Sequence, residues 1–338
     1  MVKIWLCATW ALTQPLLAAG SPKAAQDIFD IEGSAQGTTY HIRYTGSEKP
    51  ELKKQVDDRL AAFDKIFSNY RPDSEISLFN QQTSSNWIPV HPNLVTLVEL
   101  SHSISEQTHG AFDITIGALM KVWGFGPFKK KLDILPSDKE IAAAKKNVDY
   151  RQLLTQKSPP ALKKMNPNLY VDVSGIAQGY SVDQLAELLD SLGLKNYMVE
   201  IGGEIKARGK KPAGKEWELA LEDPSMEPGD AARVHVVNKG LTTAGDYRDY
   251  FEKDGKRFSH TIDPRIGKPI QHTMASVTVI ANSVAEADGW DTALLVMGPE
   301  ESRKLTAEKK LAALMILRKD GRFTTEMMGG FERYLIKK

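Results

Sequence analysis

Apolar residues recur along this chain at two spacings, one typical of helices and one of strands. Over residues 51–68 they fall every three or four positions, as on one face of an amphipathic helix. Residues 94–108, 176–192 and 284–297 have comparable helical character, and a glycine able to end a helix follows each segment. These four segments are the predicted helices.

Short alternating or apolar runs between turn residues predict strands. They cover residues 39–44, 168–173, 197–201, 205–208 and 276–281, and short strands also fill most of 217–262. Asp-Gly pairs at 254–255 and 320–321 predict two hairpins. Because strands and helices mix without regular β–α–β alternation, we expect an α+β fold with mixed or antiparallel sheets and packed helices.

The first twenty residues differ in composition from the rest of the chain. Lys3 precedes a short apolar stretch that ends in small residues at 18–20 and then turns polar. This order predicts a cleaved secretory signal peptide over residues 1–20, and the stretch is short for a membrane span. An uncleaved anchor is the alternative. Residues 21–32 are predicted to be a linker, with one folded unit from 33 to 338.

Composition and cysteine usage narrow the chemistry. The chain is 41% apolar with a net charge of +1, which is ordinary for a globular protein and argues against nucleic acid as a partner. Its one cysteine, Cys7, lies inside the predicted signal peptide and too early to be the lipid-modified first residue of a lipoprotein. The exported chain would therefore contain no cysteine nucleophile and no thiolate metal site.

Two acidic motifs are candidates for binding a charged ligand. Asp172 ends a predicted strand and leads through small residues into a helix, where free backbone N–H groups suit an anion. A tight turn with a capping aspartate would explain the same pattern. Asp288 and Thr292 lie four residues apart on one predicted helix face, and their oxygens suit Mg²⁺. An exposed polar face is the alternative there.

Two further motifs combine glycines with aromatic or titratable residues. His260 lies where a strand breaks into a Pro/Gly turn, and a histidine beside a site can exchange protons near neutral pH. A purely structural histidine also fits. Ala111, Phe112 and Asp113 lie near glycines, so the aromatic ring can stack on a flat ligand, although core packing explains it equally.

In this order the four motifs resemble the FAD:protein FMN transferase family, the ApbE-like proteins. Three more stretches add to the resemblance, at residues 33–40, 68–77 and 199–204. It spans about residues 33–298, most of the chain after the predicted signal peptide. Several ordered motifs at compatible spacing are far more specific than any one of them.

The resemblance implies a role for each matched residue. Mg²⁺, with Mn²⁺ as the alternative, would be held by Asp288, Thr292 and the backbone carbonyl of Gly175, with Asp291 as a further carboxylate. His260 would assist proton transfer. The flavin site would be lined by Gln36, Tyr70, Ala111, Phe112, Asp113, Asp172, Gln178 and Ile262.

Two of these positions depart from the family pattern. The family often has methionine where this chain has Gln36, and lysine where it has Gln178. Without that lysine the cofactor site has one positive charge fewer. The departure therefore bears on affinity for FAD more than on the chemistry.

The resemblance also implies an activity and a location. The protein would be a periplasmic enzyme without a membrane span after signal cleavage, its transferase domain covering residues 33–338. It would cleave FAD, attach FMN by a phosphoester bond to a threonine or serine of an acceptor protein, and release AMP. Acceptors would be subunits of membrane redox complexes or exported reductases. A Mg²⁺-dependent FAD pyrophosphatase and a non-catalytic flavin-binding protein are the alternatives.

Overall fold

A computed structural model describes residues 27–129, 134–222, 224, 230–247, 250–253 and 255–336. The predicted signal peptide and residues 21–26 lie outside these ranges. The helices are α1 (Leu52–Phe67), α2 (Glu75–Gln81), α3 (Pro92–Gln107), α4 (Gly117–Trp123), α5 (Asp138–Lys145), α6 (Ser174–Ser191) and α7 (Val284–Lys309). The strands are β1 (Ile28–Ala35), β2 (Thr38–Thr45), β3 (Ile88–Pro89), β4 (Leu153–Lys157), β5 (Pro160–Lys164), β6 (Tyr197–Ile201), β7 (Glu204–Arg208), β8 (Glu218–Glu222), β9 (Asp230–His235), β10 (Lys239–Gly245), β11 (Tyr250–Lys253), β12 (Lys256–Ser259), β13 (Ile262–Asp263), β14 (Lys268–Pro269), β15 (Met274–Ala281), β16 (Ala312–Lys319) and β17 (Arg322–Met328).

An antiparallel sheet of eight strands forms the centre of the described chain, in the order β1-β2-β6-β7-β10-β15-β16-β17. Its buried face on β2 and β6 packs in one apolar cluster with α1, α3 and α6. Strand β15 is covered on both faces, since Val277 and Val279 pack under α7 while Ile280 joins a second cluster with β8 and β9. This confirms the predicted α+β class.

Most predicted elements lie within two residues of the observed ones. Helices α1, α3 and α6 match the predictions over 51–68, 94–108 and 176–192. Strands β2, β6, β7 and β15 match four of the predicted strands, and the two predicted hairpins are β11–β12 and β16–β17. No helix in the described ranges is long and apolar enough to cross a bilayer.

The folded unit begins earlier than the predicted boundary at residue 33. Strand β1 starts at Ile28 and pairs with β2 along its whole length, from Ile28 opposite Thr45 to Ala35 opposite Thr38. Residues 28–32, assigned to the linker from sequence, therefore belong to the edge of the central sheet.

The strand predicted at 168–173 does not form. Only an isolated bridge joins Tyr170 to Ile116. The segment is held by side chains instead, because the N–H and carbonyl groups of Val171 are hydrogen-bonded to the amide of Asn80. An apolar extended run therefore looked like a strand although no neighbouring strand pairs with it.

The predicted helix end at residue 297 is confirmed as a break at Gly298, and a second helical segment of α7 continues beyond it to residue 309. Gly298 does leave helical geometry, with φ 75° and ψ 177°, and the following Pro299 has no N–H to donate. The Leu295 carbonyl, which would accept that N–H in an unbroken helix, accepts a hydrogen bond from His272 Nε2 at 2.8 Å instead. The break is thus satisfied by a side chain, and the helix resumes beyond it.

Candidate active site

A cavity of about 430 Å³ lies between α6, α7, the β6–β7 turn and the loops that follow α3 and β12. Sequence motifs far apart in the chain converge on it because α6 and α7 pack side by side against the central sheet. Eleven of the thirteen predicted site residues line this cavity: Ala111, Phe112, Asp113, Asp172, Gly175, Gln178, His260, Ile262, Asp288, Asp291 and Thr292.

The other two predicted residues, Gln36 and Tyr70, line a neighbouring cavity of about 720 Å³. Ser174 and Gln178 border both cavities, so the two spaces adjoin at the start of α6. The side chain of Gln36 donates a hydrogen bond to Ser181 at 2.7 Å, and Tyr70 is 69% exposed. The structure thus divides the predicted flavin site between two adjoining cavities.

Two glycines allow α7 to approach α6 and α3 closely. A Cβ atom placed on Gly179 would lie 2.6 Å from the carbonyl oxygen of Val284 and 2.8 Å from Cβ of Asp288. A Cβ on Gly289 would lie 2.4 Å from Ile104 of α3. Close packing therefore explains a glycine inside α7, where it costs about 1 kcal/mol of helix propensity relative to alanine.

Asp288 interrupts the first turns of α6. Its Oδ2 accepts the backbone N–H of Gly179 at 2.9 Å, the group that donates to the Gly175 carbonyl in a regular helix. Gly175 has φ −81° and ψ 17°, outside helical values, which rotates its carbonyl away from the helix axis. A Cβ on Gly175 would lie 3.4 Å from the hydroxyl of Thr292. The three predicted metal ligands therefore lie together.

Two buried carboxylates of α7 occupy this part of the cavity. Asp288 is 7% exposed and Asp291 is 2% exposed. Burial raises the pKa of Asp288 to about 7, and burial together with the charge of Asp288 raises the pKa of Asp291 well above its usual range. In the described residues Asp291 Oδ1 is buried without a hydrogen-bond partner. Such a pair lacks a compensating positive charge.

The donor chemistry fits a hard divalent cation. Carboxylate, hydroxyl and backbone carbonyl oxygens are the ligands that Mg²⁺ and similar cations take. Among the described residues no group of three or more His, Cys, Asp or Glu side chains is arranged to hold a metal. A cation at this point would therefore use Thr292 and the Gly175 carbonyl beside the Asp288 carboxylate.

Asp113 and Asp172 differ from Asp288 and Asp291 because hydrogen bonds from nearby N–H and hydroxyl groups satisfy their carboxylates. Asp113 accepts from the N–H and hydroxyl of Thr115 at 2.8 and 2.7 Å, and from the N–H of Tyr150 at 3.0 Å. Burial still raises the pKa of Asp113 to about 6 against these bonds. Asp172 Oδ1 accepts from the N–H and hydroxyl of Ser174 at 2.9 and 2.6 Å, so this oxygen caps the turn, as the alternative interpretation held.

The remaining predicted residues form the walls. His260 follows β12 directly and lines the cavity, with Ile262 two residues further on. The Phe112 ring would lie 3.6 Å from a Cβ on Gly175, so the ring is close to the metal-ligand candidates. Trp123 and Phe125, in contrast, are buried in a core cluster with α5 and the β11–β12 hairpin, so core packing explains these two aromatics.

Sequence reasoning missed one carboxylate of the cavity. Glu204, at the start of β7, lines the cavity and raises the pKa of Asp291 through its charge. It ends the 199–204 motif, so the motif itself was the available signal. Its proximity to Asp291 depends on the packing of the β6–β7 turn against α7, which no local pattern encodes.

Comparisons with known proteins agree with this geometry. The sequence model of the ApbE family matches residues 36–315. The FAD:protein FMN transferase of Vibrio cholerae is 39% identical over 340 residues, covering 97% of this chain and 98% of that protein. The FAD:protein FMN transferase of Klebsiella pneumoniae is 38% identical over 322 residues, covering 94% and 91%. The crystal structure of the Pseudomonas stutzeri flavinyl transferase ApbE, apo form, matches with a TM-score of 0.85 at 36% identity, covering 93% of this chain and 99% of that chain.

The matches extend over nearly the whole chain and include all of the elements that line the two cavities. They confirm the resemblance inferred from the ordered motifs, and the shared fold confirms the α+β prediction. The chain therefore belongs to the ApbE family and is a transferase.

Proposed function

We propose that this protein is an exported, Mg²⁺-dependent FAD:protein FMN transferase. It binds FAD in the two adjoining cavities, transfers the FMN half to a threonine or serine hydroxyl of an acceptor protein, and releases AMP. The new phosphoester bond joins the acceptor oxygen to the flavin-side phosphorus, and the bond from that phosphorus to the AMP oxygen breaks. The relatives from Vibrio cholerae and Klebsiella pneumoniae carry this activity in their names.

The charge of the first cavity is the observation that carries the proposal. Within the described residues its lining contains neither lysine nor arginine. It contains five carboxyl groups, those of Asp113, Asp172, Glu204, Asp288 and Asp291. A diphosphate is itself anionic, so those carboxyl groups that are ionised would repel it. A divalent cation held by the two α7 carboxylates would reverse this.

Asp288, Thr292 and the Gly175 carbonyl would hold this cation, with Asp291 beside them. When bound, Mg²⁺ neutralises charge on the diphosphate and stabilises the departing AMP. Mn²⁺ prefers the same oxygen ligands, so it is the natural substitute.

The chain's own residues bind and orient the flavin nucleotide. The start of α6 forms the border of the two cavities, so we expect the diphosphate of FAD to cross there. Phe112 and Ile262 offer apolar surface to the flavin ring, and Tyr70 offers an exposed ring in the second cavity. Gln178 borders both spaces and contributes an amide where family members often have a charged lysine.

His260 accepts the proton of the acceptor hydroxyl in this proposal. A hydroxyl is a weak nucleophile until its proton is removed, and a histidine at the cavity wall can do this near neutral pH. General base catalysis contributes roughly 10²- to 10⁴-fold. His260→Ala should therefore lower the rate of transfer by about that factor while FAD binding persists.

The experiment uses the purified chain, FAD, Mg²⁺ and an apo redox-complex subunit that carries a candidate threonine. Mass spectrometry of the subunit should show one added FMN, lost when its threonine is changed to valine or when EDTA is present. Free FMN and AMP without labelling would favour a pyrophosphatase. FAD that stays intact with Mg²⁺ and acceptor present would favour a binding protein, and either result would overturn the transferase proposal.

Export is proposed from the first twenty residues alone. Their positive start, apolar core and small-residue end are typical of a signal peptide, and a periplasmic enzyme would meet exported acceptors. Cell fractionation with N-terminal sequencing of the recovered protein should give a chain that starts near residue 20. An intact N-terminus in the cytosolic fraction would contradict this.

A further inference from the structure

The motif at residues 68–77 builds a loop with one side chain inside and one outside. Ser74 caps α2 by accepting the N–H of Ser77 at 3.2 Å, and its hydroxyl donates to the Ser68 carbonyl at 2.6 Å. These bonds close the loop so that Tyr70 is 69% exposed while the preceding Asn69 is 8% exposed. The buried Asn69 side chain therefore contacts the protein interior, whereas the Tyr70 side chain faces solvent.

Asn69, before α2, and Asn80, near the end of α2, hold the same stretch of backbone. The amide of Asn80 donates to the Val171 carbonyl and accepts the Val171 N–H, both at 2.8 Å. The amide of Asn69 donates to the same carbonyl at 2.8 Å and accepts the N–H of Val173 at 3.4 Å. Four hydrogen bonds thus converge on the residues flanking Asp172.

The opposite side of this stretch is held by backbone. The N–H of Asp172 donates to the Ile114 carbonyl at 2.7 Å, and Tyr170 bridges to Ile116. The two asparagine amides therefore stand where a second neighbouring strand would be. The backbone carbonyl of Asn80 in turn accepts a hydrogen bond from Nζ of Lys164, whose side chain is fully buried.

We propose that Asn69 and Asn80 are positioning residues that fix Asp172 and the start of α6 at the border of the two cavities. The expected effect of these asparagines on FAD binding rests on the function proposed above. Their effect on the backbone around Asp172 does not depend on that function. The amide groups lock the carbonyl and N–H directions of Val171, and these directions set where the Asp172 carboxylate lies. Because Asn69 also lines the second cavity next to Tyr70, one loop shapes both halves of the site.

The first test is hydrogen–deuterium exchange of the FAD-free protein, read by mass spectrometry. Asn80→Ala and Asn69→Ala should speed exchange of the peptide covering 169–173 by about tenfold or more, while peptides of α7 exchange as in the wild type. Asn80→Asp is nearly isosteric and keeps the acceptor for the Val171 N–H, but it loses the donor. Asn80→Asp should give an intermediate increase in the exchange rate of 169–173. It replaces the alanine variant in this test if that variant fails to fold.

Asn196→Ala is the matched control. Its side chain accepts the N–H of Lys210 at 2.9 Å, so the variant also loses a side-chain-to-backbone bond. Asn196 precedes β6, at the end of the strand away from the Gly202 turn that lines the cavity. This variant should leave the exchange of 169–173 unchanged.

The second test is titration with FAD and Mg²⁺, followed by flavin fluorescence. Asn80→Ala and Asn80→Asp should weaken binding about tenfold at matched folded fraction, and Asn196→Ala should not. Unchanged exchange of 169–173, or faster exchange with wild-type FAD affinity, would overturn the positioning role. If the wild type itself binds no FAD, the proposed function fails, and the exchange experiment still decides whether the asparagines hold the segment.

Discussion

Two pairs of buried carboxylates border the first cavity, and they are satisfied in different ways. Asp113 and Asp172 accept hydrogen bonds from N–H and hydroxyl groups of their own loops, so each shapes the loop that carries it. Asp288 accepts one backbone N–H, and Asp291 Oδ1 has no hydrogen-bond partner among the described residues. A buried carboxylate without enough donors is stable only as the neutral acid or beside a cation.

This difference in hydrogen bonding leads us to expect a structural role for Asp113 and Asp172 and a ligand-binding role for Asp288 and Asp291. Burial raises the pKa of the carboxyl groups in both pairs, and hydrogen bonds oppose the rise in both. The neighbouring negative charges of Asp288 and Glu204 raise the pKa of Asp291 further. The pair on α7 is therefore where we expect a cation to act, and each prediction below tests that contrast.

The largest expected effect is the loss of transfer in Asp288→Ala. Removing the carboxylate from the proposed cation site should lower labelling of the acceptor by about 10³-fold or more, which is about 4 kcal/mol of activation free energy. The measurement is the time course of acceptor labelling at saturating FAD and Mg²⁺. Asp58→Ala, which removes an exposed carboxylate on α1, is the control. Wild-type labelling by the Asp288 variant would remove the contrast between the two pairs.

The second prediction concerns the packing that buries the α7 pair. Gly179→Ala places a Cβ 2.6 Å from a backbone oxygen of α7, and we expect a loss of about 3 kcal/mol in the free energy of unfolding. Gly175→Ala makes the same change four residues earlier, where the nearest atom is 3.4 Å away. It should cost less than about 1 kcal/mol. Equal urea midpoints for the two variants would show that α6 and α7 are not in close contact.

The third prediction is a pH dependence of stability in EDTA. Folding raises the pKa of Asp288 from 3.8 to about 7, so between these values the folded state binds more protons than the unfolded state. The free energy of unfolding should therefore fall as pH rises from 5 to 7, by about 2 kcal/mol from this residue. Asp288→Asn should flatten the slope up to pH 7, whereas Asp113→Asn should flatten it only up to about pH 6.

Saturating Mg²⁺ provides the control for the third prediction. The cation binds the ionised carboxylates, so it should cancel the fall in stability of the wild type and have little effect on Asp288→Asn. Other carboxyl groups titrate in the same range, and the difference between variant and wild type isolates the residue. A slope unaffected by both the variant and the cation would contradict the cation site.

The smallest effect is expected for Ser174→Ala. It removes the hydroxyl that donates to Asp172 at 2.6 Å but keeps the backbone N–H bond to the same oxygen. The loss should be about 1 kcal/mol of stability, seen as a fall of roughly 2–4 °C in Tm. Transfer should persist within about tenfold of the wild type. A loss as severe as that of Asp288→Ala would place Asp172 in the same class as the α7 pair.

Local patterns were sufficient where a single element buries one face. The helical repeat over residues 51–68 predicts α1 because its apolar stripe is the stripe that packs. The run at 168–173 is extended and apolar as well, yet Asn69 and Asn80 supply the hydrogen bonds of a missing strand. A sequence pattern reports burial, and it does not report which groups satisfy the backbone.

The helix break at Gly298 shows the same limit. Gly298 predicts a helix end, and its φ of 75° bears out the break. Helical geometry resumes after the break, and His272, before β15, satisfies the Leu295 carbonyl there. That residue is distant in sequence, so no window of local propensity includes it.

The sequence by itself determined the family to which the chain belongs and which residues are the candidates for its chemistry, because ordered motifs retain their residue types and spacing. The tertiary structure alone decided that Glu204 joins Asp288 and Asp291 in one cavity and that Gln36 and Tyr70 lie in the next. Burial, loss of hydrogen-bond partners and mutual repulsion arise between elements that are distant in the chain. They exist only once α6, α7 and the central sheet have packed together.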